Sequence, residues 1–240
     1  MIAIETKKLT KKFKDKVAVN EIDLKIKHDE LFALLGVNGA GKTTTIKMLS
    51  GLILPTSGEI IIENMNMKKE VFKIKELLNV SPQETAIAPN LTVKENLEFM
   101  AGVYQIKDKE KKINELVKEF KLEDVLNKRA KTLSGGWQRR VSIAISLINN
   151  PKILFLDEPT LGLDVIARKE LWKVINSLKG RITIILTTHY MEEAESLSDR
   201  IGIMANGSIV EVGTAKELIK KTKAKNFEDA FVSIATGGEL

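Results

Sequence analysis

Eight consecutive residues, Gly36-Val37-Asn38-Gly39-Ala40-Gly41-Lys42-Thr43, satisfy the pattern G-x-x-x-x-G-K-[ST]. Glycines at this spacing let backbone N–H groups approach and encircle phosphate oxygens, and the start of a following helix adds its own attraction for anions. The candidate phosphate-binding residues are therefore Gly36, Asn38, Gly39, Ala40, Gly41, Lys42, Thr43 and Thr44. Lys42 can reach the outer phosphates, and the Thr43 hydroxyl suits Mg²⁺. A second stretch, Ile153-Leu154-Phe155-Leu156-Asp157-Glu158-Pro159, ends an apolar run in two carboxylates. Ligands of parallel-sheet proteins gather at the carboxyl ends of strands. Asp157 there suits Mg²⁺ through water, and Glu158 suits accepting a proton from an attacking water or holding it in line. By itself such an acidic pair also serves to cap a turn or helix. Beside a phosphate loop it supplies the rest of what nucleotide hydrolysis requires.

These residues need a scaffold, and the patterning describes one. Residues 31–35 read as a buried strand leading into the loop, and Ile46, Leu49 and Leu52 mark one side of a helix after it. Residues 2–9, 17–26 and 59–62 are further strand candidates, with a turn at 54–58. From about 85 to 150 the period becomes helical. Thr92 and Glu95 form a capping box before Leu97, Met100 and Ala101. Ile113, Leu116, Val117 and Phe120 make a second apolar face, and Val141, Ile145 and Ile148 a third. Strands and helices then alternate again: 153–156, a helix through Leu171, Val174 and Leu178, and 182–186. Thr214 and Glu217 form another capping box, and Asn226 caps a last helix that buries Phe227, Phe231 and Ile234. This order predicts an α/β core with a helical insertion.

Composition agrees with a globular chain. Of the 240 residues 43% are hydrophobic and 29% charged, enough for one good core. No apolar run approaches the length of a membrane span, and no signal-peptide pattern opens the sequence. The absence of cysteine excludes disulfides and thiolate metal sites and fits a cytoplasmic setting. The net charge is +6, with lysines clustered at 7–16, 107–112 and 220–225. Such runs can touch nucleic acid or an anionic membrane surface, but aromatic interleaving is missing and acids are mixed in, which favours a solvated face. His28, in a polar turn, reads as a surface residue without a role.

Between the loop and the acidic strand lies Leu133-Ser134-Gly135-Gly136. With its neighbours in this order, it resembles the signature motif of ABC-type ATPases, and the resemblance covers nearly the whole chain. Gln83 stands where that family has its Q-loop glutamine, Leu163-Asp164 ends a D-loop-like stretch, and His189 follows a strand as the H-loop histidine does. Phe13 sits where an aromatic residue stacks on adenine, although a plain core aromatic would look the same. The family ordinarily closes the signature with glutamine; here Trp137 takes that place and Gln138 follows, which removes any contact owed to the glutamine side chain. Asn127-Lys128-Arg129-Ala130 only half-resembles a guanine-reading box, so GTP is not favoured.

The resemblance implies a P-loop NTPase (RecA-like) core with an N-terminal antiparallel β subdomain and an inserted α-helical subdomain. Residues 1–84 and 151–215 would form the first two, 85–150 the insertion and 216–240 a helical tail. It implies ATP and Mg²⁺, with Thr43, Gln83 and Asp157 around the metal and Lys42, Gln83, Glu158 and His189 serving hydrolysis. Ser134, Gly135 and Gly136 would bind the γ-phosphate of a nucleotide held by the other subunit of a homodimer, or of a heterodimer with a similar ATPase. The expected partner is a separate membrane permease, which places the chain at the inner face of the cell membrane; no nucleic acid is expected. Residues 91–97, 189–195 and 228–231 look like the ATPases of ABC-2-type exporters. The alternative is a soluble ABC ATPase acting on DNA or the ribosome, which ordinarily carries a long coiled coil or a tandem cassette.

Overall fold

The computed structural model describes residues 1–238. Two sheets carry the architecture. In the first, β1 (Ile2–Phe13) pairs antiparallel with β2 (Lys16–Lys27) and with β4 (Ser57–Ile62), and β5 (Met65–Asn66) continues it, in the order β2-β1-β4-β5. The second has six strands. They are β3 (Leu31–Leu35), β6 (Leu78–Ser81), β7 (Ile153–Asp157), β8 (Thr183–Thr188), β9 (Arg200–Ala205) and β10 (Ser208–Gly213), ordered β10-β9-β3-β8-β7-β6. All neighbours are parallel except the β9–β10 hairpin. Every residue of β3, β7 and β8 is buried. That is why these strands read as continuous apolar runs: helices or a second sheet cover both faces of a parallel sheet.

Side-chain alternation divides the interior. Leu154, Leu156, Ile184 and Leu186 point to one face, into a core shared with α3 (Val93–Val103), α4 (Lys109–Glu119), α5 (Gly135–Ser146) and α6 (Val165–Leu178). Ile153, Phe155 and Ile185 point to the other, where Ile46 and Leu49 of α1 (Lys42–Leu49) and the inner face of the first sheet meet them. A third cluster joins Ala33, Leu35 and Ile203 to α7 (Met191–Leu197), α8 (Ala215–Thr222) and α9 (Phe227–Ala235). The expected P-loop architecture, with its antiparallel sheet and its helical insertion, is thus present.

The caps explain the boundaries. Both capping boxes form, at Thr92/Glu95 and Thr214/Glu217, and the Asn226 side chain accepts from Asp229 N. One expectation fails: Leu52 does not share a helix face with Ile46 and Leu49. α1 stops at Leu49, Gly51 turns the chain with φ 68°, and Leu52 is exposed. His28 is also less idle than its turn suggests, because its Nε2 lies 3.3 Å from the Glu63 carboxylate. Patterning gave no sign of β9, β10 or α2 (Met67–Leu77), a lysine-rich helix that buries only Met67 and Ile74.

Candidate active site

The parallel sheet fixes where the chemistry can sit. β3 pairs with β8 so that Leu35 faces Thr188, and β7 pairs with β8 so that Asp157 faces Thr187. The phosphate loop, the acidic pair and His189 therefore all leave the sheet at its carboxyl edge. They surround a cavity of about 540 Å³. Asn38, Gly39, Gly41, Lys42, Thr43 and Thr44 line one side of it; Gln83, Glu158 and His189 line the other. Phe13, half exposed, stands at the rim with Lys11 Nζ 5.1 Å from its ring.

The loop's glycines are required where it matters. Gly41, the N-cap of α1, has φ 105°, and a Cβ there would lie 2.5 Å from Ala18 O. Neither backbone nor space admits a side chain. Gly36 and Ala40 lie behind the loop rather than on the cavity wall. Gly36 O accepts from Lys42 Nζ at 2.7 Å, and the buried Ala40 accepts from Gly207 N at 3.1 Å.

Opposite the loop, Glu158 is 6% exposed, and both its carboxylate oxygens are engaged. Oε1 lies 3.3 Å from Lys42 Nζ and Oε2 lies 2.8 Å from His189 Nδ1. Its φ of 48° puts it in the left-handed region, a conformation that costs a non-glycine residue about 1 kcal/mol and is concentrated at functional sites. Asp157 Oδ1 accepts from Thr43 Oγ1 at 3.1 Å and from Thr187 Oγ1 at 2.5 Å. A hydroxyl and a carboxylate this close are hard oxygen donors, which fit Mg²⁺. Among the described residues no cluster of three or more His, Cys, Asp or Glu could hold a metal.

Ser134, Gly135 and Gly136 are not in this cavity. Ser134 and Gly136 line a separate hollow of about 370 Å³ with Trp137, Arg140 and Asp164. Ser134 is the N-cap of α5, yet its side chain makes no capping hydrogen bond, so the hydroxyl faces out unspent. Asp164, by contrast, uses its carboxylate to cap α6 through Ile166 N and Ala167 N. Trp137 lies under Arg140, 4.6 Å from guanidinium carbon to ring centroid, and Arg140 donates to Glu170 at 2.9 Å, holding that carboxyl below its ordinary value. Gln138 turns inward to the carbonyls of Ala130 and Leu133.

Three buried groups at this site escaped the sequence reading. Thr187 links Asp157 Oδ1 to Glu158 N, to which its own Oγ1 is 3.0 Å away. Arg139, 4% exposed, sits beneath the cavity; burial lowers its pKa while Asp157 and Glu193 raise it. Glu193 has no exposed surface and accepts from Trp172 Nε1 at 3.0 Å. Burial pushes its carboxyl up, against the opposing pull of the nearby Thr188 and Thr160 hydroxyls. The polar run Thr187-Thr188-His189 at the end of an apolar strand was a signal for Thr187. Arg139 and Glu193 gave none, since a lone arginine or glutamate in a helix reads as surface.

The family model for ABC transporters matches residues 19–161, more than half of the chain and spanning both the phosphate loop and the acidic strand. The chain belongs to the ABC transporter family. Within it this cassette is 41% identical over 229 residues to the Escherichia coli (strain K12) "Probable multidrug ABC transporter ATP-binding protein YbhF", covering 94% of the cassette and 39% of that protein. The cassette spans less than half the length of the curated relatives it matches. Its fold matches the "Structure of ATP binding subunit of ABC transporter" with a TM-score of 0.85 and 27% identity over 97% of this chain and 99% of that one. The dimeric post-hydrolysis cassette MJ0796 bound to ADP and Pi matches with a TM-score of 0.78 and 28% identity, over 88% of this chain and 98% of that one. The cassette is accordingly an ATP-binding ATPase.

Proposed function

We propose that this cassette powers a membrane permease whose spans lie outside residues 1–240, by closing on a second cassette around ATP and Mg²⁺. The observation that carries the reading is the division of the site. Lys42, Glu158 and His189 share one cavity, while Ser134 offers a free hydroxyl at the start of α5 in another. A helix start with unpaired N–H groups and a hydroxyl suits a γ-phosphate, and it has none to serve within its own chain.

In the closed pair, Lys42 and the loop amides bind the phosphates, and Ser134, Gly135 and Gly136 of the opposite cassette cover the outermost one. Mg²⁺ held near Thr43, Asp157 and Gln83 supplies charge neutralisation at the phosphates. Glu158 accepts the proton of the attacking water, and His189, fixed against Glu158, keeps that water and the γ-phosphate aligned. The Gln83 loop faces a cytoplasmic helix of the permease, so the cassette sits at the inner face of the membrane. No described helix is long and apolar enough to cross one.

The similarity to a probable multidrug transporter ATP-binding protein supports ABC-2-type export. Action on DNA or the ribosome is not favoured, since the relatives are transporter subunits. The test is Glu158→Gln: with ATP and Mg²⁺ it should elute as a stable dimer on size exclusion. A monomer that still hydrolyses ATP would sink the proposal. Pull-down from solubilised membranes should then recover a membrane-spanning protein rather than a ribosome.

A further inference from the structure

The guanidinium of Arg139 touches three carbonyls of two different segments. Nη1 donates to Pro82 O at 2.5 Å, and Nη2 donates to Gln83 O at 2.5 Å and to Glu158 O at 3.3 Å. Pro82 and Gln83 follow β6, the edge strand of the six-stranded sheet, while Glu158 follows the more interior β7. Arg139 itself belongs to the first turns of α5, five residues beyond Ser134. Thus one buried side chain ties the signature helix, the Gln83 loop and the peptide of the carboxylate residue.

The geometry points to Arg139 as a positioning residue that passes displacement of the Gln83 loop to Glu158, and so sets turnover rather than nucleotide affinity. The inference rests on the reading of Glu158 as the base and of the Gln83 loop as the permease-facing segment. Three features carry it. A planar fork of N–H groups suits successive carbonyls in a way that a point charge does not. The two short bonds go to the loop and the long one to Glu158, so the bond to Glu158 is the one that a shift of the loop makes or breaks most readily. Glu158 is held in a left-handed conformation, where a change in its carbonyl contact reorients the whole residue rather than a side chain alone. An arginine serving only to fill the core would not need carbonyls from two segments that leave different strands of the sheet.

The experiment uses Arg139→Lys and Arg139→Gln, the second retaining a neutral donor should the first fail to fold. Because the chain has no cysteine, Glu84→Cys, at an exposed loop position, takes a single nitroxide label. We expect kcat to fall about tenfold or more, as misplacement of a reacting group does. KM for ATP, and affinity for a non-hydrolysable analogue, should stay within about twofold, since no phosphate contact is removed. The label should become more mobile. Wild-type kcat in both variants, unchanged label mobility, or a KM that rises as far as kcat falls would overturn the inference alone. Wild-type protein that cannot turn over ATP would overturn the functional reading and the inference with it.

Discussion

His189 Nδ1 and Glu158 Oε2 lie 2.8 Å apart, joining the ends of β8 and β7 across the mouth of the cavity. The pair orients two groups with different tasks, since the same carboxylate also faces Lys42 at 3.3 Å. His189→Ala should therefore lower kcat about a hundredfold, the scale of a lost general acid–base or orienting group, with little change in ATP affinity. Steady-state ATPase assays alongside equilibrium binding of a fluorescent ATP analogue separate the two; a rise in KM with kcat intact would contradict the assignment.

Lys42→Ala removes the ammonium that the loop holds at the cavity wall, between Gly36 O and Glu158. A hydrogen bond to a charged group contributes about 1.5–3 kcal/mol, so nucleotide affinity should drop about ten- to a hundredfold. Titration with the same fluorescent analogue measures this directly, and wild-type affinity would refute the loop's role.

A two-chain site makes a distinctive prediction about mixtures. Ser134→Arg blocks the signature face, and Lys42→Ala blocks the loop face, so each variant alone should be inactive. Mixed dimers should regain about one working site in two, because a two-fold interface pairs the intact loop of one chain with the intact signature of the other. Activity against mixing ratio, with dimer formation checked by differential tagging, tests it. Mixed dimers with no activity would speak against shared sites.

Glu193 supplies a pH prediction. Burial raises its folded pKa above the ordinary carboxylate value of 4.5, so between the two the folded protein binds more protons than the unfolded chain. The stability held in the neutral acid is complete below about 4.5 and is lost as pH rises through the folded value. The neighbours bear on both states: Arg139 favours the anion, Glu158 opposes it, and Trp172 Nε1 donates to one carboxyl oxygen at 3.0 Å. Glu193→Gln should therefore melt higher than wild type in alkaline buffer, with the difference shrinking as pH falls. Thermal unfolding across the pH range measures it; a difference independent of pH would show that titration is not involved.

What could be read from the sequence was chemistry written in contiguous residues. The loop at 36–43, the acidic pair at 157–158 and the signature at 133–136 each place their groups by local geometry, so a short window suffices. Apolar runs gave β3 and β7 for the same reason, since both faces of each strand are covered. Arg139, Glu193 and the bond between His189 and Glu158 depend on segments far apart in the chain meeting at one sheet edge, and no window contains that. Leu52 misled because its spacing continued the α1 period, while Gly51 had already turned the backbone away. β9 was hidden by Gly202, which stands where an inward side chain would be looked for; a Cβ there would lie 2.8 Å from the Phe32 ring.

Gly136 differs from its neighbour in a way that bears on the ancestry of such chains. A Cβ at Gly136 would lie 3.0 Å from Ala167 Cβ, where α5 passes α6, whereas at Gly135 the nearest contact is Leu163 at 3.7 Å. The packing of the two helices asks for a small residue at 136 whether or not nucleotide is ever hydrolysed. In a degenerate cassette that had fallen silent, Gly136 should outlast Ser134 and Gly135 by many generations. Its survival would testify to architecture alone.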